Sequence, residues 1–184
     1  MIIFEPTRYG ERNIELRAKL FEDRKIFLTG AINPIIIEEV IMQLLILDNQ
    51  NNRPIWLYLS TNGGEVLSGM SLISAIERLS SPVNTVCLSN AMSMGAVILS
   101  SGTGYRYITK YGWVMIHSVK SGFYGHEKDI ELAAENTKEL NNMLMGILAK
   151  NCGYTLDEIK ELTEHDLYLN AERAVKFGIV DQII

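Results

Sequence analysis

Three polar residues, each next to an apolar segment, are of the types that together catalyse acyl transfer. Ser93 lies in a run of small residues that follows the apolar segment Val83–Leu88. His117 closes the apolar segment Trp113–Ile116, and Asp166 comes shortly after a predicted helix. A neutral imidazole can take the proton of a serine hydroxyl, while a carboxylate fixes the tautomer of that imidazole and stabilises the imidazolium ion. The three residue types therefore predict a triad, provided that folding brings the side chains together.

Each of the three residues also has a purely structural explanation. A serine among small residues can cap a helix or allow close packing, a histidine at a strand end can be a core residue, and an aspartate after a helix can be a solvated acid. Open α/β sheets nevertheless place functional groups at strand ends, and a strand-to-helix joint holds a hydroxyl beside backbone N–H groups. The order Ser, His, Asp along the chain is no objection, because geometry defines a triad.

A glycine pair, Gly63-Gly64, separates a predicted strand from a predicted helix. The pair can simply make a tight turn. It can also let the backbone approach a ligand, so that a backbone N–H group points at a developing oxyanion. The N–H group of Met94, next to Ser93, would be the second donor of such an oxyanion hole.

These residues must be positioned by elements that hydrophobic periodicity predicts along the chain. The predicted strands are Lys25–Gly30, Ile55–Leu59, Val83–Leu88, Tyr105–Ile108 and Gly112–His117, with a strand-like end at Ile179–Ile184. The predicted helices are Ile35–Leu47, Gly69–Leu79, Met94–Ser101, Asp129–Lys150, Thr155–Leu162 and Ala171–Phe177. Strands that alternate with helices and consist of continuous apolar runs predict an α/β fold with a parallel sheet.

Length and composition narrow the class of protein further. A chain of 184 residues suits a single domain over residues 1–184, and its formal net charge of -5 argues against a nucleic-acid partner. Cys87 and Cys152 have no spacing that indicates a metal site or a disulfide framework, which favours a reducing compartment. Because we find neither a secretory leader nor a membrane-spanning run, we expect a soluble, cytoplasmic protein without a membrane partner.

The long predicted helix Asp129–Lys150 carries more apolar residues than it needs to pack against one small sheet. These include Leu132, Met143 and Leu148. The helix can therefore project towards a partner subunit, although a simple core helix would also explain the pattern.

Ordered motifs along the whole chain resemble the ClpP family, the proteolytic subunits of caseinolytic (Clp) proteases. The N-terminal, nucleophile, histidine and C-terminal motifs of that family are matched by Tyr9–Arg12 with Asp23–Gly30, by Ser93–Ala96, by Val114–His117, and by Ala171–Val175 with Phe177–Asp181. The resemblance implies a crotonase-like spiral of β-β-α units, a protruding handle helix within about residues 119–150, and an N-terminal axial segment over residues 1–20.

The resemblance also implies a function and a site. It implies a serine endopeptidase with a triad of Ser93, His117 and Asp166 and an oxyanion hole made by the N–H groups of Gly64 and Met94. Neither a cofactor nor a metal is expected. Unfolded polypeptides would bind as an added strand, along the backbone after Gly64 and along residues 120–125.

The partners that the resemblance implies are other subunits and an unfoldase. We expect heptameric rings stacked as a tetradecamer, homomeric or mixed with a paralogue, that degrade proteins for quality control. An ATP-dependent AAA+ unfoldase would feed the chamber. Trp56, Tyr58 and Leu88 are the candidate docking surface for this unfoldase.

Several positions depart from the family pattern. Thr61-Asn62 stands where Ser-Pro is usual, and Ser118-Val119 stands where Gln-Pro is usual. His165 replaces a common arginine at the ring interface, and Arg78 and Thr109 occupy positions that are usually apolar near the docking surface.

Two other functions remain open from the sequence. The chain could be a weakly active or structural ring subunit that acts with an active paralogue, for which the altered docking surface and His165 speak. It could also be a crotonase-type acyl-CoA enzyme, a class that has an oxyanion hole but does not need a Ser-His pair.

Overall fold

The computed structural model describes residues 1–8 and 10–184 and has a mixed α/β architecture. The strands are β1 Ile2–Thr7, β2 Gly10–Glu15, β3 Lys25–Thr29, β4 Ile55–Thr61, β5 Val83–Met92, β6 Arg106–Ile108, β7 Trp113–Ile116, β8 Leu167–Asn170 and β9 Gln182–Ile183. The helices are α1 Leu16–Glu22, α2 Pro34–Gln50, α3 Val66–Arg78, α4 Met94–Ser100, α5 Glu127–Cys152, α6 Leu156–Leu162 and α7 Ala171–Phe177.

The main sheet within the described residues has seven strands and is mostly parallel. Strands β3, β4, β5, β6 and β9 follow one another across it, each pair parallel, and β7 pairs with β5 while β8 pairs antiparallel with β7. The α/β fold with a parallel sheet that periodicity predicts is therefore confirmed.

Strand β5 pairs with two different strands along the two parts of its length, in addition to β4. Its first half, Thr85–Cys87, pairs with β6, and its second half, Asn90–Met92, pairs with β7. The strand is longer than the predicted Val83–Leu88, because the small residues that follow Leu88 continue the ladder to β7. The end of β5 thus lies beside the end of β7, which brings two distant parts of the chain together.

The core lies between the main sheet and its helices. Alternate residues of β4, Ile55, Leu57 and Leu59, are fully buried, and α2 places a stripe from Ile37 to Leu47 against the same core. Burying each such side chain stabilises the fold by about 1.5–3 kcal/mol. Helix α4 is buried over all of its residues, so the joint that precedes it is anchored in the core.

The N-terminal residues form a hairpin that periodicity did not predict. Strands β1 and β2 pair antiparallel, and Glu5 accepts hydrogen bonds from Arg12 at 2.6 Å and from Lys19 at 2.5 Å. Most hairpin side chains are exposed, so no buried face marks these strands in the sequence. Tyr9, part of the first family motif, lies outside the described residues.

Several predicted boundaries shift by a few residues. Helix α3 begins at Val66 rather than Gly69, and the predicted C-terminal strand is ordered as a ladder only over Gln182–Ile183. Thr155 and Glu158 form a capping box at the start of α6, and Gly178 ends α7 in the left-handed conformation.

Helix α5 changes character along its length. Leu144 and Leu148 near its C-terminal end are buried in the core, whereas Leu132 and Met143 are more than half exposed. The apolar excess that the sequence indicates therefore lies partly on an uncovered face of this helix.

Candidate active site

Ser93 occupies a tight joint between β5 and α4. Its backbone has φ 54° and ψ -125°, a conformation that is uncommon for a residue with a side chain. Its N–H group donates to the carbonyl oxygen of Met115 at 2.8 Å, which continues the pairing of β5 with β7. The joint is therefore held on one side by the sheet and on the other by the buried helix α4.

His117 follows β7 directly and meets Ser93 through the same strand pairing. Met92 and Met115 are partners in the register, so the residues that follow them emerge at one edge of the sheet. His117 Nε2 lies 2.8 Å from Ser93 Oγ, within hydrogen-bond distance, and the imidazole is 14% exposed. This distance is the one that a serine nucleophile and its general base require.

Asp166 is brought near His117 by the antiparallel pairing of β7 with β8. Ile116 is the register partner of Leu167. His117, which follows Ile116, therefore lies beside Asp166, which precedes Leu167. Asp166 Oδ1 nevertheless lies 3.7 Å from His117 Nδ1, beyond hydrogen-bond distance. Two of the three predicted residues are thus hydrogen-bonded, and the third is adjacent but not engaged.

Lys120 is the residue that Asp166 contacts instead. Its ammonium donates to both carboxylate oxygens, to Oδ1 at 2.9 Å and to Oδ2 at 3.2 Å. His117 Nδ1 is buried and has no hydrogen-bond partner among the residues that the structure describes. The sequence did not predict this contact of Lys120, because neither the type nor the position of the lysine marks it as a partner of a residue far along the chain.

The charges around the site favour a neutral imidazole and an ionised carboxylate. Burial lowers the pKa of His117, and the nearby Lys120 charge lowers it further, while Asp166 has the opposite, smaller effect. The hydrogen bond from Lys120 holds the pKa of Asp166 below its usual range. At neutral pH, His117 can therefore accept a proton.

The glycine pair lies beside Ser93. Gly63 and Gly64 have φ of 91° and 152°, conformations that favour glycine, and a Cβ atom on Gly64 would lie 2.2 Å from the carbonyl oxygen of Ile32. A cavity of about 90 Å³ is lined by residues that include Gly64, Ser93, Met94 and His117. Since Met94 is the first residue of α4, its N–H group has no acceptor within the helix. Both predicted oxyanion donors thus border the cavity that contains Ser93 and His117.

Side-chain hydrogen bonds hold the loop that departs from the family pattern. Thr61 Oγ1 accepts from the N–H group of Gly63 at 3.0 Å and donates to the carbonyl oxygen of Gly30 at 2.5 Å. Asn62 Oδ1 accepts from Asn90 at 2.6 Å. These bonds tie the loop that contains the glycine pair to the residue after β3 and to β5, without the proline that is usual there.

Two of the candidate docking residues, Trp56 and Tyr58, alternate along β4 with buried residues and therefore lie on the other face of that strand. Trp56 and Tyr58 are half-buried and belong to a row of aromatic rings, with Tyr58 5.0 Å from Phe27 and Trp56 5.5 Å from Tyr107 between ring centroids. Leu88 is also half-buried, and Thr109 Oγ1 donates to its carbonyl oxygen. Phe27 and Tyr107, which the sequence did not predict at this surface, also belong to the row.

A comparison with protein-family models matches residues 8–184 to the Clp protease family. The chain belongs to the Clp protease family. A Clp protease is a serine peptidase, and the resemblance that the ordered motifs indicated is thereby confirmed. The mixed α/β fold and its mostly parallel sheet agree with the fold of this family.

The two cysteines of this Clp protease have perturbed thiols. Burial raises the pKa of both Cys87 and Cys152 to about 12, so neither thiol is a ready nucleophile at neutral pH. Among the described residues, we find no group of three or more His, Cys, Asp or Glu side chains that could hold a metal ion. In the same part of the chain, every helix is too short or too polar to cross a membrane.

Proposed function

We propose that this Clp protease is an endopeptidase subunit in which Ser93 is the nucleophile and His117 the general base. The observation that carries the proposal is the 2.8 Å contact between Ser93 Oγ and His117 Nε2 at a strand-to-helix joint. A lone serine hydroxyl is a weak nucleophile, and an adjacent base within hydrogen-bond distance is what activates it.

The first half of the reaction forms an acyl-enzyme. Ser93 Oγ bonds to the carbonyl carbon of the scissile peptide while its proton passes to His117 Nε2. The N–H groups of Gly64 and Met94 stabilise the oxyanion, and one such donor typically contributes about 3 kcal/mol to transition-state stabilisation. The C–N bond then breaks, and the departing amine takes the proton from His117.

The second half regenerates the serine. Water attacks the acyl carbon and gives a proton to His117, which returns it to Ser93 Oγ as the ester bond breaks. Because Nε2 must accept the serine proton, the neutral imidazole carries its hydrogen on Nδ1. Asp166 is the proposed acceptor for that hydrogen and the group that would stabilise the imidazolium ion.

We propose unfolded polypeptide as the substrate. Residues 121–125 are exposed and belong to no helix or strand, so their backbone is accessible for pairing with an extended peptide. The cavity beside Ser93 has apolar walls formed by residues such as Val97, Ile116 and Leu148, which suit a side chain of the bound strand.

The proposal includes the assembly of the subunits and the docking of an unfoldase. The uncovered apolar residues of α5 support its role as the handle between two stacked heptameric rings, and the aromatic row supports docking of an AAA+ unfoldase at Trp56, Tyr58 and Leu88. The N-terminal hairpin would form the axial segment.

A weakly active ring subunit is the second candidate function. The observation that favours it is the separation of Asp166 from His117 by 3.7 Å, together with the contact from Lys120. In this case a paralogue would supply most of the peptidase activity.

Labelling with a fluorophosphonate probe separates the two candidates. An active subunit is labelled, with the adduct on Ser93 by peptide mass spectrometry, and Ser93→Ala abolishes labelling. Ser89→Ala is the matched control, since Ser89 is exposed, contacts Ser60 and lies on the same strand. An assembled protein that is not labelled, under conditions that label another Clp protease, would contradict the endopeptidase proposal.

A further inference from the structure

We infer that Lys120 is a positioning residue that holds Asp166 away from His117 while the site is empty, and that a peptide bound along residues 120–125 releases the carboxylate. The inference rests on the proposed function and adds to it a link between substrate binding and completion of the triad. Lys120 itself touches neither of the two reacting groups, Ser93 Oγ and His117 Nε2, in a described hydrogen bond.

Lys120 and His117 compete for one oxygen atom of Asp166. Asp166 Oδ1 is the carboxylate atom nearest to His117 Nδ1, at 3.7 Å, and it is also the atom that Lys120 Nζ contacts at 2.9 Å. Meanwhile Nδ1 is buried without a partner in the described part of the chain. A buried donor without an acceptor is unfavourable, so this arrangement leaves an unmet hydrogen bond that Asp166 could satisfy.

The contact between Lys120 and Asp166 can be broken easily. The Lys120 side chain is 66% exposed and that of Asp166 is 36% exposed. Exposed ion pairs contribute little net free energy, because water screens them and two flexible side chains must be ordered. A modest competing interaction is therefore enough to displace the ammonium.

The position of Lys120 in the chain links its contact with Asp166 to the proposed binding of substrate. Lys120 begins the segment 120–125, and this segment has no regular secondary structure. On its N-terminal side, the N–H group of Val119 is fixed by Asn141 Oδ1 at 2.9 Å. An added peptide strand would impose extended backbone geometry from residue 120 onwards, and the Lys120 side chain would move with it.

The charges that face His117 act in the same direction. Lys120 and Asp166 are the charged neighbours that affect the imidazole, and His165 acts on Asp166 from the same segment. Lys120 disfavours the imidazolium form directly by repulsion, and indirectly by holding the carboxylate. Removing the ammonium should thus favour protonation of His117 by both routes.

The direct test is an NMR titration of His117 in the full chain labelled with ¹⁵N-histidine. Three histidines are present, and the His117→Gln variant assigns the resonance. We expect the His117 midpoint to move to higher pH in Lys120→Met and to stay low in Lys120→Arg, which retains the charge. Lys128→Met is the matched control, because Lys128 is an exposed lysine on α5, the next element of the chain. A midpoint that is unchanged in Lys120→Met, or that moves equally in Lys128→Met, overturns the inference.

Steady-state kinetics on an unstructured peptide provide the second readout. If substrate must displace Lys120, the enzyme without substrate is only partly competent, and we expect Lys120→Met to lower KM by about two- to fivefold. A KM that is unchanged or raised contradicts the release step. If no variant hydrolyses the peptide or labels at Ser93, the proposed function fails, and the NMR midpoint alone decides whether Lys120 controls Asp166.

Discussion

The two halves of the candidate site differ in what fixes them. Ser93 and His117 follow two paired parallel strands, and a buried helix anchors the serine from the other side. Asp166 and Lys120 lie in segments without regular secondary structure, with partly exposed side chains that pair with each other. The fold itself therefore sets the contact between the proposed nucleophile and the proposed base, whereas the position of the proposed orienting carboxylate depends on a weak surface contact.

The largest expected effect comes from the half of the site that contains Ser93 and His117. His117→Ala removes the proposed general base, and we expect kcat to fall by about 10⁶-fold, because a triad without its base retains only binding and oxyanion stabilisation. Peptide hydrolysis by the assembled protein measures the loss. His126→Gln is the control, since His126 precedes α5 without a side-chain capping bond. A fall of less than tenfold in His117→Ala would mean that another group activates the serine.

A smaller effect is expected in the half of the site that contains Asp166 and Lys120. Asp166→Asn keeps the shape of the side chain but cannot stabilise the imidazolium ion, so we expect kcat to fall by about 10⁴-fold. Measured beside His117→Ala, this loss should be roughly a hundred times smaller. Glu164→Gln, which removes an exposed charge two residues away, controls for the general field. If Asp166→Asn has no effect, the carboxylate does not act on His117, and the weakly active ring subunit becomes the better account.

The sequence predicted the surroundings of Ser93 and His117 far better than the contact between Asp166 and Lys120. Continuous apolar runs such as Val83–Leu88 identify buried strands, and His117 at the end of one such run was predicted at a functional edge for that reason. The contact of Lys120 with Asp166 joins two irregular polar segments, and no periodicity marks such a contact. Strand β8 was missed for a related reason, because four residues gain their strand geometry only by pairing with β7.

The hairpin β1–β2 shows the same limit in another region. Its register is regular, but Ile2 and Phe4 are exposed and its polar residues form ion pairs rather than facing a core. Periodic burial is the signal that predicts strands from sequence, and this hairpin does not bury a face in the single chain.

The most direct measurement of the central claim is the rate of Ser93 phosphonylation as a function of pH. The base must be neutral to accept the serine proton, so the rate should rise with pH through the pKa of His117 and then level off. Because burial and Lys120 lower that pKa, we predict a midpoint below the usual histidine value of about 6.5, and no such midpoint in His117→Ala. A rate that keeps rising tenfold per pH unit into alkaline solution, equally in both proteins, would show that the serine reacts without His117 and would contradict the account.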